Sequence, residues 1–243
     1  MLLGLMLTQS LAAAAPVGEP VPRVEAGRVA LGVRTGAASQ WLTAQGCAEG
    51  ACDSVWRGST TAGVARLTVV DGLALDAEVG RLSDRVSQAS YTGKGLLWAA
   101  GARGALPLWM SGWWLCASGR YEAASATNGL EGSDLSASRY AIGSASGVLA
   151  WAPRGDVGFT TWIGGQGAWH WDQVLTPLGV GSDGEPVLEI VMDPGLPASA
   201  VLGLSIVSQP LGAPWSPAWR IGIELDASIG QSNLASGQVL VRF

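Results

Sequence analysis

From about residue 25 to the C-terminus, apolar and polar residues alternate with a period of two, and this constrains the fold more than any other feature of the chain. In Glu25 to Gly36, Val29, Leu31 and Val33 share one face, with Arg28, Ala30 and Arg34 on the other. The pattern returns in 61–70, where Leu67 and Val69 oppose Arg66 and Thr68. It returns again in 73–82, where Leu73, Leu75, Ala77 and Val79 oppose Asp76 and Glu78. Further segments at 94–105, 108–122, 138–152, 159–172, 198–209 and 219–230 lead to a last one that ends at Phe243. Successive strand side chains point to opposite faces, so each segment reads as a strand with one apolar face. Nothing after the N-terminus shows a helical period.

Ten one-faced strands must hide, or make use of, ten apolar faces. Charged residues are only 14% of the chain and hydrophobic residues 48%, yet beyond the N-terminus no apolar run nears the length of a membrane helix, which needs ~20 residues. The apolar content is spread over short alternating stretches, as in a transmembrane barrel whose lipid-facing and lumen-facing positions alternate. A soluble sandwich with a Trp-rich core is the alternative, and the connections argue against it. Those at 37–58, 83–93, 123–137 and 173–197 are long, whereas those at 71–72, 106–107, 153–156 and 210–217 are short. The connection between the last two strands is a short exception. A barrel with surface loops on one rim and tight turns on the other keeps this rhythm, and a sandwich has no reason to. Asp71-Gly72 is the strongest hairpin signal. The 12 tryptophans suit interfacial girdles.

In the terminal strand Ala235, Gly237, Val239 and Val241 lie on one face, Ser236, Gln238 and Arg242 on the other, and Phe243 closes the chain. This ending resembles the one that outer-membrane β-barrels present to their insertion machinery, and the chain as a whole resembles the porin-like and OmpA-type barrel families. The resemblance implies an all-β fold, a closed antiparallel up-and-down transmembrane β-barrel of about ten strands, or eight if the 123–152 or 210–230 region holds fewer. It implies a bacterial outer-membrane location and an insertion signal at Val239, Val241 and Phe243. Outer-membrane lipid and the insertion machinery are the expected partners. A monomer is expected, with no appended peptidoglycan-binding domain.

Residues 1–15 read as an export signal, with an apolar stretch from Met1 and a small-residue cleavage site near Ala15, although no Lys or Arg precedes the apolar run. Residues 16–243 then form one barrel domain, entered by an extended lead-in with Pro16, Pro20 and Pro22. Export favours oxidised thiols, so Cys47 and Cys52 are expected to form a local disulfide. Cys116 reads as a small buried side chain.

The inner face carries Arg28, Arg34, Arg66, Asp76, Glu78, Arg103, Arg120, Glu122, Glu224, Asp226 and Arg242. Isolated buried ions are costly to desolvate, so Arg–carboxylate pairs are the expected filling of the lumen, and arginine suits them better than lysine. Lys94 is the only lysine. A structural or surface-interaction role follows, with a narrow porin-like channel as the alternative. The third alternative is a hydrolase. His170, the only histidine, forms His170-Trp171-Asp172 with both polar residues on one face of a strand. This loosely resembles omptin-type proteases, which pair Asp with His and place two carboxylates opposite; Asp76 and Glu78 are the candidate facing pair. Lipid A deacylases carry Ser where Asp172 stands, so that chemistry is not supported. No cofactor or metal is expected. With a net charge of −5 and no visible basic patch, neither is a nucleic-acid partner.

Overall fold

The computed structural model describes residues 16–23, 27–47, 50–86, 91–128, 137–153, 158–175, 198–211, 218–230 and 232–243. They form ten strands: β1 (Val29–Cys47), β2 (Gly50–Val70), β3 (Leu73–Val86), β4 (Tyr91–Pro107), β5 (Trp113–Asn128), β6 (Ala137–Trp151), β7 (Gly158–Leu175), β8 (Ala198–Val207), β9 (Arg220–Gly230) and β10 (Ser232–Arg242). Each pairs antiparallel with its sequence neighbour. β1 pairs with β10 from Ala30↔Arg242 to Gln40↔Ser232, which closes the barrel. Closure leaves no unpaired edge. The eight-strand count is set aside.

Several strands are longer than their alternation shows. Residues 37–47 and 50–58, read from the sequence as loop, continue β1 and β2 with partners such as Ala37↔Ser59 and Leu42↔Ser54. Small residues and hydroxyls fill much of this hairpin, so no polarity contrast marks its faces. The reversal placed at Leu106-Pro107 falls one step later. Pro107 ends β4 and the chain turns through 108–112, closed by hydrogen bonds from Trp113 N to Met110 O (3.1 Å) and from Leu108 N to Trp113 O (2.9 Å). The turn at Asp71-Gly72 stands where the sequence put it. Gly72 has φ of +84°, a left-handed conformation that glycine adopts without penalty.

Alternation sorts the two faces. β8 is exposed and buried at strictly alternate positions. Its outward set, with Leu31, Val33, Leu75, Ile163, Ile223 and Val239 elsewhere, makes an exposed apolar wall. Strand β6, unassignable from sequence because small residues fill both faces, turns Ile142, Ser144, Ser146, Val148 and Ala150 inward. The interior is layered. Ala62, Leu82, Leu97, Ala124, Ala126, Ile142 and Ala168 pack together on the long-connection side. Toward the short-turn rim, Cys116, Val148, Ala150, Trp162 and Val201 pack around Val17 and Val21. Val17 and Val21 belong to no strand; they come from a segment inside the barrel.

Candidate functional site

Charged side chains fill the lumen near the level of these apolar layers. Glu224 on β9 is wholly buried. Arg66 grips it with Nη1 at 2.8 Å from Oε1 and Nη2 at 3.2 Å from Oε2. Arg242 Nη2 lies 2.8 Å from the same Oε1, and Gln238 donates to Oε2. Asp76 bridges two arginines, with Arg66 Nε 2.8 Å from Oδ1 and Arg103 Nε 2.8 Å from Oδ2. Glu78 does the same for Arg34 Nη2 and Arg120 Nη1, each at 2.5 Å. Arg120 also reaches Glu122 at 2.8 Å. Bidentate and bridged geometry of this kind suits guanidinium, whose planar fork matches a carboxylate.

The structure thus brings together Arg34, Arg66, Asp76, Glu78, Arg103, Arg120, Glu122, Glu224, Asp226 and Arg242 inside the barrel. Arg28 is different: it is exposed at the rim, one residue before β1. It has the right parity for the lumen, but the wall does not extend far enough to enclose it.

The component missed from the sequence is the lead-in itself. Residues 16–23 enter from the short-turn rim and lie within the lumen. Gly18 N donates to both Asp226 oxygens at 3.1 Å, and Glu19 N donates to Glu224 Oε2 at 2.8 Å. The Glu19 carbonyl accepts from Arg103 Nη1 at 2.6 Å. Its carboxylate accepts from Arg242 Nη2 at 2.5 Å and from Thr160 Oγ1 at 3.1 Å. At the rim, Gly72 N donates to Pro22 O at 2.8 Å, and Arg23 Nη2 donates to Ala152 O at 2.7 Å. Gly18 has φ of +65°, and a Cβ there would stand 2.9 Å from Arg103 Nη1. The composition explains why this segment is a filling and not a stave. Proline has no N–H to offer a ladder, so a stretch with Pro16, Pro20 and Pro22 has fewer donors to satisfy when buried off the sheet. One carboxylate among prolines and valines, just ahead of a barrel rich in inward arginine, was the signal available in the sequence.

For hydrolysis the arrangement offers little. Asp76 and Glu78 are each held by two arginines, so both spend their lone pairs on ion pairs. They sit on β3, four strands around the wall from β7. On β7 the register slips, with His170 opposite Ile142 and Asp172 opposite adjacent Ala141. The side chains of His170, Asp172, Cys47 and Cys52 lie outside the described ones, as do residues 1–15, where the sequence leads one to expect an export signal. Cys47 and Cys52 flank the tip of the β1–β2 hairpin, where Cys47 is opposite Gly50. Cys116 is a free, buried thiol. Among the described residues no cluster of His, Cys, Asp and Glu could hold a metal. On the outer wall Val239 and Phe243 are exposed, and Val241 is half-buried.

No protein-family model matches the sequence, and no curated protein does either. Among solved structures the chain is similar to the translocator domain of the autotransporter NalP from Neisseria meningitidis. The identity is 13% and the TM-score 0.42, over 90% of this chain and 89% of that one. At that score the likeness adds nothing to the barrel, which the strand register defines directly.

Proposed function

We propose that this chain is an integral outer-membrane β-barrel with a structural or surface-interaction role, its lumen sealed by Arg–carboxylate pairs and by residues 16–23. One observation carries the proposal: the polarity of the molecule is inverted. Ionised side chains lie buried at the centre, while Leu31, Val33, Val79, Leu96, Ile163 and Ile229 stand exposed on the wall, each at 51% or more. Monomeric soluble proteins rarely expose a contiguous apolar patch above a few hundred Å², and a belt around a barrel is what a bilayer covers. Trp109, Trp151 and Phe243 are exposed toward the short-turn rim, with Trp151 edge-on to Phe159 at 6.1 Å. Aromatic side chains at a rim suit the headgroup level. On this reading the short turns face the periplasm, and Val239, Val241 and Phe243 present the insertion signal. Lipid and the insertion machinery are the partners, and the barrel works as a monomer.

The test is a heat-modifiable gel shift, paired with single-channel recording in planar bilayers. We expect a faster-migrating unboiled form and no conductance. Identical migration with and without boiling would overturn the barrel in detergent, and steady conductance would overturn the seal.

A second reading, a narrow porin-like channel, draws support from two features. A cavity of about 810 Å³ opens at the long-connection end, lined in part by Ala38, Gly58, Asp84, Ser228 and Leu234. The lower seal also depends on a separate segment, and removing that segment would leave only the wall's own side chains in the way.

A further inference from the structure

The outer wall carries a basic patch that the sequence does not display, because its members are scattered between residues 57 and 94. We propose that Arg57, Arg81, Arg85 and Lys94 form a binding site for the phosphorylated headgroup of an outer-leaflet membrane lipid. The proposal rests on the membrane-spanning reading above and deepens it.

All four residues are exposed, on three adjacent strands. Arg57 on β2 is directly opposite Arg85 on β3, and Arg81 is opposite Thr61. On the other side of β3, Arg81 is opposite Leu96, and Ser83 is opposite Lys94. A groove of about 380 Å³ is lined by Arg81 and Lys94 together with Ser59, Thr61, Ser83 and Leu96, while Arg57 and Arg85 stand one step above it, on the margin of the larger cavity at the long-connection end. The groove offers cations and hydroxyl donors together. Among the described side chains the only exposed carboxylate is Asp71, in a turn on the opposite rim, so no described side chain on the wall neutralises the patch. Like charges directly opposite each other destabilise a sheet, and a multiply charged anion between them reverses the sign of that interaction.

Position selects a lipid as the source of that anion. Arg81 lies eight residues after Leu73 on β3 and Arg85 twelve. At about 3.3 Å per residue and a tilt of about 40°, they stand about 20 and 30 Å above the short-turn rim. That interval brackets the upper edge of an apolar band about 25 Å tall. The residues next below on the outer face, Val79 at 69% and Trp98 at 50% exposed, are still apolar. The patch therefore begins where the acyl region ends and phosphates begin. Clusters of Lys and Arg at this boundary are the ordinary means of holding anionic headgroups.

The experiment uses the full barrel refolded in neutral detergent. It is mixed with bisphosphorylated lipid A, with dephosphorylated lipid A, or with inorganic phosphate, and retention is read by native mass spectrometry. The wild-type barrel should retain the phosphorylated lipid over the dephosphorylated one. Each basic residue at an anionic surface contributes about fivefold, so Arg57→Gln/Arg81→Gln/Arg85→Gln/Lys94→Gln should weaken retention about 600-fold. Should that variant lose its heat-modifiable shift, Arg81→Gln/Lys94→Gln, expected to weaken retention about 25-fold, decides the matter. Equal retention of the two lipids, or unchanged retention by a folded variant, overturns the proposal. Displacement of the lipid by equimolar inorganic phosphate also overturns it, because the site would then belong to a free anion. Loss of the shift in the wild type marks failure of the membrane reading itself, which retention in a folded barrel does not test.

Discussion

The inner and outer walls use the same guanidinium in opposite ways. Arg66 and Arg242 converge on Glu224, and Arg66 shares Asp76 with Arg103; these arginines are shut away from solvent and saturated with carboxylate. Arg57, Arg81 and Arg85 are exposed on the outer wall. The lesson concerns cost. A buried ion without a partner is intolerable, so every arginine inside the barrel faces at least one carboxylate. An ion at the membrane boundary keeps its water and counterions, so the wall can hold a surplus of one sign ready for a ligand.

The strongest way to break this comparison is to unmatch the lumen. Glu224→Gln keeps the volume and removes the charge that Arg66 and Arg242 share. We expect a loss of about 3–5 kcal/mol, the usual consequence of stripping one partner from a buried pair, read from the urea midpoint by tryptophan fluorescence. A loss below about 1 kcal/mol, the scale of an exposed pair, would mean that water reaches the network.

Next comes the wall. Val79→Arg puts a guanidinium on the outer face two residues before native Arg81. It should cost about 2–4 kcal/mol in a bilayer, falling toward zero for residues at the boundary. Refolding equilibria in vesicles measure the difference, and equal tolerance at 79 and 81 would move the membrane edge down the barrel.

Glu19→Ala detaches the N-terminal segment from Arg242 and Thr160. Hydrogen bonds to charged groups are worth about 1.5–3 kcal/mol each, so a stability loss of that order is expected. Deleting residues 16–23 should in addition produce channel events in planar bilayers. Continued silence would assign the seal to the strands alone.

The smallest effect is Arg57→Gln. In neutral detergent it relieves the Arg57–Arg85 opposition and should stabilise the barrel by about 0.2–1 kcal/mol. In vesicles containing phosphorylated lipid the sign should reverse. Paired urea titrations would show whether it does.

Much of the wall is legible from the residues themselves. Where the apolar set is large, as in Leu73–Val79 or Ile221–Leu225, one alternating run fixes both the strand and its faces. Where both sets are small, as in Ala37–Ala44 or Ser138–Ala150, the pattern is silent, and only pairing with a neighbour reveals the strand. The lumen was less legible. Parity places Arg66 and Glu224 on inner faces but cannot say that they meet across 158 residues of chain. Parity also misleads at the ends of a strand, as at Arg28, which is exposed at the rim.

By itself the sequence determined that the chain is built of alternating strands, which residues the strongly patterned ones turn inward, and where the turn at Asp71-Gly72 falls. These depend on local rules, the two-residue repeat of a strand and the φ that Gly72 supplies. The tertiary structure alone decided that residues 16–23 lie in the lumen, that Glu19 joins the arginine network, and that four scattered cations assemble on three neighbouring strands. The first two depend on closure, and the third on the register of neighbouring hairpins. Once β1 pairs with β10, residues far apart in sequence share one small volume inside and one curved surface outside, and Coulomb energy acts on those distances regardless of their order along the chain.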